Sequence, residues 1–277
     1  MHYIEPGIRE KLEVEAKSPI FHNISNRFVD NKAVFSLIIP VLQESKILEK
    51  HLQKFPLELR KKYNFEMIVS DGGSTDDTVE IAKKYADTVI IHNSDKRQTI
   101  SEGRNNGAQF AKSDVLVFLN ADTIPVNIID FLNLIIEFAK ADNQYKNIDA
   151  LACYVSSFPE EELLKDKIFY TLHNNYVRLL NKIGMGMGRG ECQVVRKKIF
   201  DICGGYNNNI VAGEDFDLYK RISKIGNIKF EKRLHVYESP RRFRKYGYIR
   251  TITYWLINSV SVMVYNKSVS KEWEAVR

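Results

Sequence analysis

Continuous apolar runs alternate with amphipathic segments over most of the chain, beginning at Val34. Runs that are apolar throughout and rich in β-branched residues are typical of strands buried on both faces of a parallel sheet. Apolar residues at helical spacing, such as Leu48 and Leu52, predict helices between the strands. Strands that alternate with single helices indicate an α/β fold with a mostly parallel sheet. The first four predicted strands cover residues 34–40, 65–70, 88–92 and 114–119.

Local signals predict where several helices begin. Ser74, with Asp77 three residues later, resembles a capping box and predicts a helix from this point to about Tyr85. Ser101 is expected to open the next helix. Further along, the pattern predicts helices over about 128–138, 160–180 and 214–225, and strands over 149–155 and 191–195.

Polar residues stand at the ends of three predicted strands. Glu44 comes after the first strand, Asp71 ends the second, and Asp122 follows the fourth. In open α/β sheets, ligands bind in the crevice beyond the carboxyl ends of the strands. These positions therefore predict a ligand site at that edge of the sheet.

Asp122 is a candidate ligand for a divalent cation. It stands two residues after Asn120, in an N-x-D variant of the D-x-D element. Mg²⁺ is usually held by one or two carboxylates together with phosphate oxygens, and Mn²⁺ also prefers oxygen ligands. The alternative is that Asp122 only caps the helix that begins near Pro125.

The helix predicted over 214–225 places Asp215 in its first turn, on the apolar side. Glu214 and Asp217 fall on the other face, which we expect to be solvated. A carboxylate on the core side of a crevice can have a raised pKa and act as a general base. The alternative is an acid that only complements the positive end of the helix dipole.

A glycine-rich segment, GMGMGRG at 184–190, does not match a dinucleotide-binding fingerprint. The fingerprint follows a strand and opens a helix, whereas this segment follows a helix and enters a strand. We therefore predict no NAD site. The segment is either a mobile loop beside the site or a plain connector.

Composition narrows the class of protein. The 277 residues suit one large or two small domains, and 44% hydrophobic with 27% charged residues is ordinary for a globular chain. A formal net charge of +6 is compatible with anionic small molecules or a membrane surface, but is too weak to indicate nucleic acid. Three cysteines without C-x-x-C spacing argue against a disulfide framework and a structural zinc site. The sequence predicts neither a signal peptide nor a transmembrane segment.

Five motifs follow one another along the chain: SLIIPVLQES, VSDGGSTDDT, GRNNGAQFAKSDVLVFLNADT, GRGECQVVRKKIFDICGGYN and VAGEDFDLYKRI. In this order they resemble the GT-A glycosyltransferases of family 2, over about 34–237. The resemblance implies an α/β GT-A fold, in which a mostly parallel nucleotide-binding sheet flanked by helices is merged with an acceptor-binding half. The expected organisation is an N-terminal arm over 1–32, a catalytic domain over 33–238 and a basic, amphipathic helical segment over 239–277.

The resemblance also implies roles for individual residues. Asp215, in the pair with Glu214, matches the proposed catalytic base. Asp122 matches the last acid of the D-x-D element, which anchors the metal (Mg²⁺ or Mn²⁺) and the diphosphate. His235 is a candidate further metal ligand, although a lone histidine in a strand is more often structural. The residues expected to bind the nucleotide are Pro40, Glu44, Asp71, Gly73, Ser74, Arg104, Asn120 and Ala121.

Asn120 departs from the family pattern, because the D-x-D element of the family begins with an acid. The amide oxygen of Asn120 can still bind ribose or a metal-bound water. One negative charge is nevertheless missing beside Asp122, which weakens the expected metal site.

The C-terminal segment is basic and amphipathic. Residues 239–250 carry five basic and no acidic side chains, and an apolar stripe with Trp255 follows. Such a segment is a candidate for peripheral membrane contact through residues 240–265. The alternative is a helix that packs on the catalytic domain. Arg241 and Arg242 are candidates for closing over the donor diphosphate, as basic residues do in related enzymes.

The resemblance predicts inverting, metal-assisted transfer of a sugar from a UDP- or GDP-sugar. The acceptor would be a glycan hydroxyl or a lipid-linked phosphate. Two other functions stay open, namely a non-catalytic module that binds sugar nucleotides or glycans, and a nucleotidyltransferase. No nucleic-acid partner is expected, and the expected location is the cytoplasm or the inner face of the membrane.

Overall fold

The computed structural model describes residues 20–23, 32–94, 96–265 and 267–270. These residues form nine strands: β1 (Ile20–Asn23), β2 (Phe35–Val41), β3 (Phe65–Asp71), β4 (Thr88–Ile91), β5 (Val115–Leu119), β6 (Ile124–Pro125), β7 (Ala150–Ser157), β8 (Cys192–Arg196) and β9 (Ile228–Glu238). Their helices are α1 (Ser45–Leu52), α2 (Leu57–Tyr63), α3 (Thr78–Tyr85), α4 (Ile100–Phe110), α5 (Ile128–Ala139), α6 (Leu164–Lys182), α7 (Lys197–Ile202), α8 (Glu214–Ile222), α9 (Arg241–Tyr246) and α10 (Tyr248–Tyr265), with a short 3₁₀ helix over Asn143–Tyr145.

All nine strands belong to one sheet, in the order β1-β4-β3-β2-β5-β8-β7-β9-β6. Strands β4, β3, β2 and β5 run parallel, which confirms the predicted α/β fold. Strand β8 runs antiparallel to both β5 and β7, and it joins this half to a second one in which β7 and β9 are parallel. The sheet is therefore continuous across both halves of the molecule.

Two apolar cores lie on opposite faces of the sheet. In β2, Leu37 and Ile39 belong to one core and Ile38 to the other, because successive side chains of a strand point to opposite faces. Helices α1, α3 and α5 contribute to the first core, and α4, α7 and α8 to the second. Burial on both faces explains why the strands are apolar throughout.

One predicted helix start is wrong. The helix expected from Ser74 begins at Thr78, because the Ser74 hydroxyl accepts a hydrogen bond from the Gln43 backbone instead of capping a helix. A capping box opens α4 instead, where the side chains of Thr99 and Glu102 each accept a backbone N–H of the other residue.

Both ends of the chain add to this framework. Most of the predicted arm over 1–32 lies outside the described residues, but Ile20–Asn23 pairs with β4 at the sheet edge. The predicted C-terminal helix is α10, and its Trp255 packs with Phe243 of α9 and Phe169 of α6. None of the helices in the described part of the chain has the length and apolar character needed to cross a bilayer.

Gly107 brings α4 close to β2. A Cβ atom at this position would lie 2.3 Å from Ile38 Cγ2. We expect Gly107→Ala to lower the free energy of unfolding by about 1–3 kcal/mol, because the helix must move away from the sheet. Urea denaturation measures this change.

The control for this variant is Gln109→Ala, at an exposed position of the same helix. It is expected to change the free energy of unfolding by less than about 0.5 kcal/mol. Equal losses in the two variants would contradict the explanation by close packing.

Candidate active site

A cavity of about 1190 Å³ lies at the carboxyl ends of β2 and β5 and extends to α6 and α10. This is the edge of the sheet where the sequence predicts a ligand site. Most of the predicted site residues line it. They are Pro40, Glu44, Arg104, Asn120, Ala121, Asp122, Glu214, Asp215, Arg241 and Arg242.

Asp71, Gly73 and Ser74 form the turn next to this cavity without lining it. Asp71 is fully buried, and its Oδ2 accepts hydrogen bonds of 2.9 Å from the backbone of both Gly73 and Ser74. Its Oδ1 has no hydrogen-bond partner among the described residues. A buried carboxylate oxygen without a donor is costly, so this atom is suited to receive an N–H group from a ligand.

His235 lies on β9 and is not part of the cavity wall. Its Nε2 shares a hydrogen bond of 2.7 Å with Ser156 Oγ, and its ring packs edge-on against Tyr154. Burial lowers the pKa of His235. These contacts fit a structural role for His235. His235 is therefore not part of the metal site proposed for Asp122.

Arg104 joins three segments of the site from a fully buried position on α4. Its guanidinium donates hydrogen bonds to Glu214 Oε1 at 2.8 Å, Asn120 Oδ1 at 3.0 Å and the Gly190 carbonyl at 2.7 Å. Both terminal nitrogens therefore bind protein groups. Arg104 positions the walls of the cavity rather than reaching into it.

The first turn of α8 brings two acids to the cavity. Gly213 precedes it with a φ of +87°, and Glu214 and Asp215 are the first two helical residues. Burial, and then the neighbouring Glu214 carboxylate, raise the pKa of Asp215 to about 7. A carboxylate that ionises near neutral pH is suited to general base chemistry.

The prediction that Glu214 and Asp217 lie on a solvated face of α8 is wrong. Glu214 is 8% exposed and Asp217 is 5% exposed. Glu214 pairs with Arg104, and Asp217 accepts two hydrogen bonds from Arg221 one turn later. Both acids are buried because each has a cation beside it, and the cation of Glu214 comes from a distant helix.

Asp122 is the carboxylate at the end of β5. Its side chain is 38% exposed, and its Oδ2 accepts a hydrogen bond of 2.7 Å from Arg241. Asn120 Oδ1 is bound to Arg104. Over the described ranges, no three His, Cys, Asp or Glu side chains form a cluster that could hold a metal ion. This donor set fits Mg²⁺ or Mn²⁺ as one carboxylate combined with phosphate oxygens and water, and not as an all-protein cage.

The cavity wall contains a second acid pair, which is not predicted from the sequence. Glu191 and Glu238 share a hydrogen bond, with Arg189 at 2.7 Å from Glu191 and the Tyr170 hydroxyl at 2.6 Å from Glu238. Burial and Glu191 raise the pKa of Glu238. Burial also disfavours the charge on Glu191, but Arg189 holds its pKa well below the usual range. Glu238 therefore holds a proton more tightly than Glu191 does. The position of Glu238 at the end of a strand, β9, was the signal in the sequence that could have indicated this pair.

The apolar wall on the far side of the cavity was predicted only in part. The sequence analysis predicts the apolar stripe of α10, but not the apolar residues of α6 that line the cavity beside it. The apolar residues of these two helices that line the cavity are Phe169, Leu172, Tyr176 and Leu180 on α6 and Ile252, Trp255, Leu256 and Val260 on α10. A cavity with acids at one end and hydrocarbon at the other suits an amphipathic ligand.

Residues 36–202 match the model of the family described as Glycosyl transferase family 2. The chain belongs to glycosyl transferase family 2. This is the family that the five motifs resemble.

Two curated relatives illustrate how far the similarity extends. The glycosyltransferase AglE of Haloferax volcanii is 25% identical over 202 residues, which cover 69% of this chain and 62% of AglE. A PGL/p-HBAD biosynthesis glycosyltransferase of Mycobacterium bovis is 36% identical over 93 residues, which cover 32% of this chain and 35% of that protein. This chain therefore spans less than two thirds of the length of either relative.

Solved structures share the fold. Mannosyltransferase PcManGT from Pyrobaculum calidifontis, in complex with GDP-Man and Mn²⁺, has a TM-score of 0.56 at 15% identity, over 76% of this chain and 57% of that chain. Glucosyl-3-phosphoglycerate synthase from Mycobacterium tuberculosis, in complex with Mn²⁺, UDP and phosphoglyceric acid, has a TM-score of 0.52 at 13% identity, over 83% and 77%. These similarities confirm the GT-A fold of this chain.

The buried pair of Arg104 and Glu214 provides a stability test. Arg104→Met is expected to lower the free energy of unfolding by about 3–5 kcal/mol, because it leaves the Glu214 carboxylate buried without a counter-charge. The double variant Arg104→Met with Glu214→Gln is expected to recover part of this loss, since both charges are then gone. Guanidinium denaturation of the three proteins measures both effects.

Lys83→Met is the matched control, because it removes a surface ion pair with Glu80. It is expected to change stability by less than about 1 kcal/mol. The role assigned to the buried pair is refuted if the double variant is no more stable than Arg104→Met.

Proposed function

We propose that this glycosyltransferase moves a sugar from a nucleotide-diphosphate sugar to an acceptor hydroxyl or lipid phosphate, with inversion at the anomeric carbon. The main observation that supports this proposal is that Asp215, with a pKa near 7, lines the same cavity as Asp122. A direct displacement needs a base near the attacking oxygen and a charge-binding group near the leaving diphosphate. Asp215 can supply the base, and Asp122 can hold a divalent cation that binds the diphosphate.

The nucleoside is proposed to bind at the ends of β2 and β3. Pro40 and Glu44 line the cavity there. Asp71 Oδ1 can accept a hydrogen bond from a base N–H, while Gly73 and Ser74 hold the other oxygen of the same carboxylate. The structural neighbours solved with GDP-Man and with UDP support a GDP- or UDP-sugar as the donor.

The diphosphate is proposed to lie beside Asp122. With phosphate oxygens and water, Asp122 would hold Mg²⁺ or Mn²⁺, and the ion would offset the charge that builds up on the leaving diphosphate. Neighbours solved with Mn²⁺ support this cofactor. Arg241 and Arg242 line the same cavity, and their guanidinium groups can offset part of that charge.

Asp215 is proposed to take the proton of an acceptor hydroxyl as its oxygen attacks the anomeric carbon. Glu214 cannot easily share this task, because its Oε1 is bound to the buried Arg104. An acceptor phosphate is already ionised, so its transfer would need no proton acceptor. The pH dependence of the rate therefore distinguishes the two acceptor classes.

A thermal-shift panel tests the donor site. UDP-, GDP- and dTDP-sugars are compared with and without Mn²⁺, and one nucleotide class is expected to raise the melting temperature in a metal-dependent way. A ligand at ~100 times its dissociation constant stabilises the folded state by ~2.7 kcal/mol. Asp122→Ala is expected to weaken the shift, and Asp215→Ala to keep most of it.

Asp130→Ala, on the exposed first turn of α5, is the control and is expected to keep the full shift. If no sugar nucleotide stabilises the wild-type protein, the donor site is refuted. A shift that Asp122→Ala leaves unchanged refutes the metal site alone.

A pH profile of transfer tests the base. For a hydroxyl acceptor, or for water in donor hydrolysis, kcat/KM is expected to rise with pH until about 7 and then level off, because Asp215 must be ionised. Asp215→Asn is expected to lower the rate at least ~100-fold and to remove this rise. A hydroxyl transfer that keeps both its rate and its pH profile in Asp215→Asn contradicts the assignment.

A further inference from the structure

Helix α6 carries an apolar stripe that the fold does not cover. Ile168, Leu172, Tyr176, Leu179 and Ile183 recur every three or four residues, and each is more than 45% exposed. A helix of a globular protein normally turns such a stripe towards the core.

Helix α6 already buries a different stripe against the sheet. It contains Tyr170, Asn174 and Val177, all of which are nearly inaccessible to solvent. The exposed stripe is therefore additional to the apolar surface that folding requires.

Helix α10 exposes apolar residues in the same way. Ile249, Leu256, Ile257 and Val260 are each more than 45% exposed. We call these residues, with the exposed stripe of α6, the α6–α10 face. The two helices are neighbours, because Phe169 and His173 of α6 contact Trp255 of α10. Exposed apolar residues that group on neighbouring helices mark an interaction site.

The α6–α10 face is continuous with the cavity. Leu172 and Tyr176 on α6, and Leu256 and Val260 on α10, are exposed to solvent and also line the cavity that holds Asp215. A ligand that enters past these residues therefore meets apolar side chains in the same cavity that holds Asp215.

The helices that form and adjoin the α6–α10 face are mostly basic. Helices α6, α9 and α10 together carry nine basic side chains and one acidic side chain, Asp166, which is buried and paired with Arg244. A partner protein with an ordinary mixed-charge surface would not require this bias. The headgroups of anionic lipids match it.

We propose that the α6–α10 face docks on an anionic lipid bilayer and opens the active-site cavity towards it. The contact is peripheral, since neither helix can cross the bilayer. It extends the contact predicted for residues 240–265 by a second helix. The inference rests on the proposed function and also names the acceptor class. The acceptor is a molecule anchored in lipid, with its polar end reaching Asp215.

Vesicle co-sedimentation tests the docking. The probe is phosphatidylcholine with about 30% phosphatidylglycerol, compared with phosphatidylcholine alone. The test variant combines Ile168→Asp, Leu179→Asp and Ile183→Asp, three exposed positions outside the cavity wall. A second variant carries serine at the same positions, in case three added charges disturb folding.

The matched control combines Ile202→Asp and Ile225→Asp, which are 62% and 53% exposed and lie outside both the face and the cavity wall. Wild type and control are expected to bind the anionic vesicles, with binding that weakens as salt is added. Both test variants are expected to lose at least ~10-fold in bound fraction. All four proteins are expected to keep the same nucleotide thermal shift.

The proposal is overturned if the wild type stays in the supernatant, or if the control loses as much binding as the test variants. It is also overturned if light scattering shows a dimer that the test variants dissociate, because a second copy then covers the face. Vesicle binding without any nucleotide shift would uphold the docking and refute the proposed donor site instead.

Discussion

One buried cation, the guanidinium of Arg104, connects the parts of the active site. It lies on α4 and binds the end of β5 through Asn120, the loop before β8 through Gly190, and the start of α8 through Glu214. Removing a charge from water is costly, and only the folded arrangement of these partners offsets the cost. Helix α8 cannot shift without leaving this charge unpaired, so the acid at its start is held at a fixed place beside the strand ends.

The raised pKa of Asp215 favours base catalysis but lowers the stability of the folded protein near neutral pH. Its pKa rises from 3.8 in the unfolded chain to about 7 in the folded protein. The folded state therefore binds this proton more tightly, and the group lowers the free energy of unfolding as pH rises from about 4 to about 7. The desolvation that destabilises the carboxylate is also what makes it a base near neutral pH. The rest of the fold, with a core on each face of the sheet, must offset this cost.

The strands, the helices and the crevice could be predicted because they depend on short-range periodicity and on general rules for α/β sheets. Ser74 was misread because its hydroxyl can bond either to a helix start or to a neighbouring loop, and only the fold decides. The partners of buried charges could not be predicted. Glu214 pairs with Arg104 and Asp122 with Arg241, each across more than 100 residues, and no local pattern reports such a contact. The exposure of the stripe on α6 could not be predicted, because apolar residues at helical spacing look the same in the sequence whether a core or solvent covers them.

The amide at Asn120 affects a carboxylate that it does not touch. It accepts a hydrogen bond from Arg104 without bringing a charge, so Glu214 and Asp215 share the cation with no third acid. An aspartate at position 120 would bring that third acid, compete for Arg104 and raise the pKa of Asp215 further. A chain with an acid at 120 would gain a metal ligand and lose part of its base at neutral pH. Positions 120 and 215 are therefore expected to evolve together, although they lie on different elements of the fold.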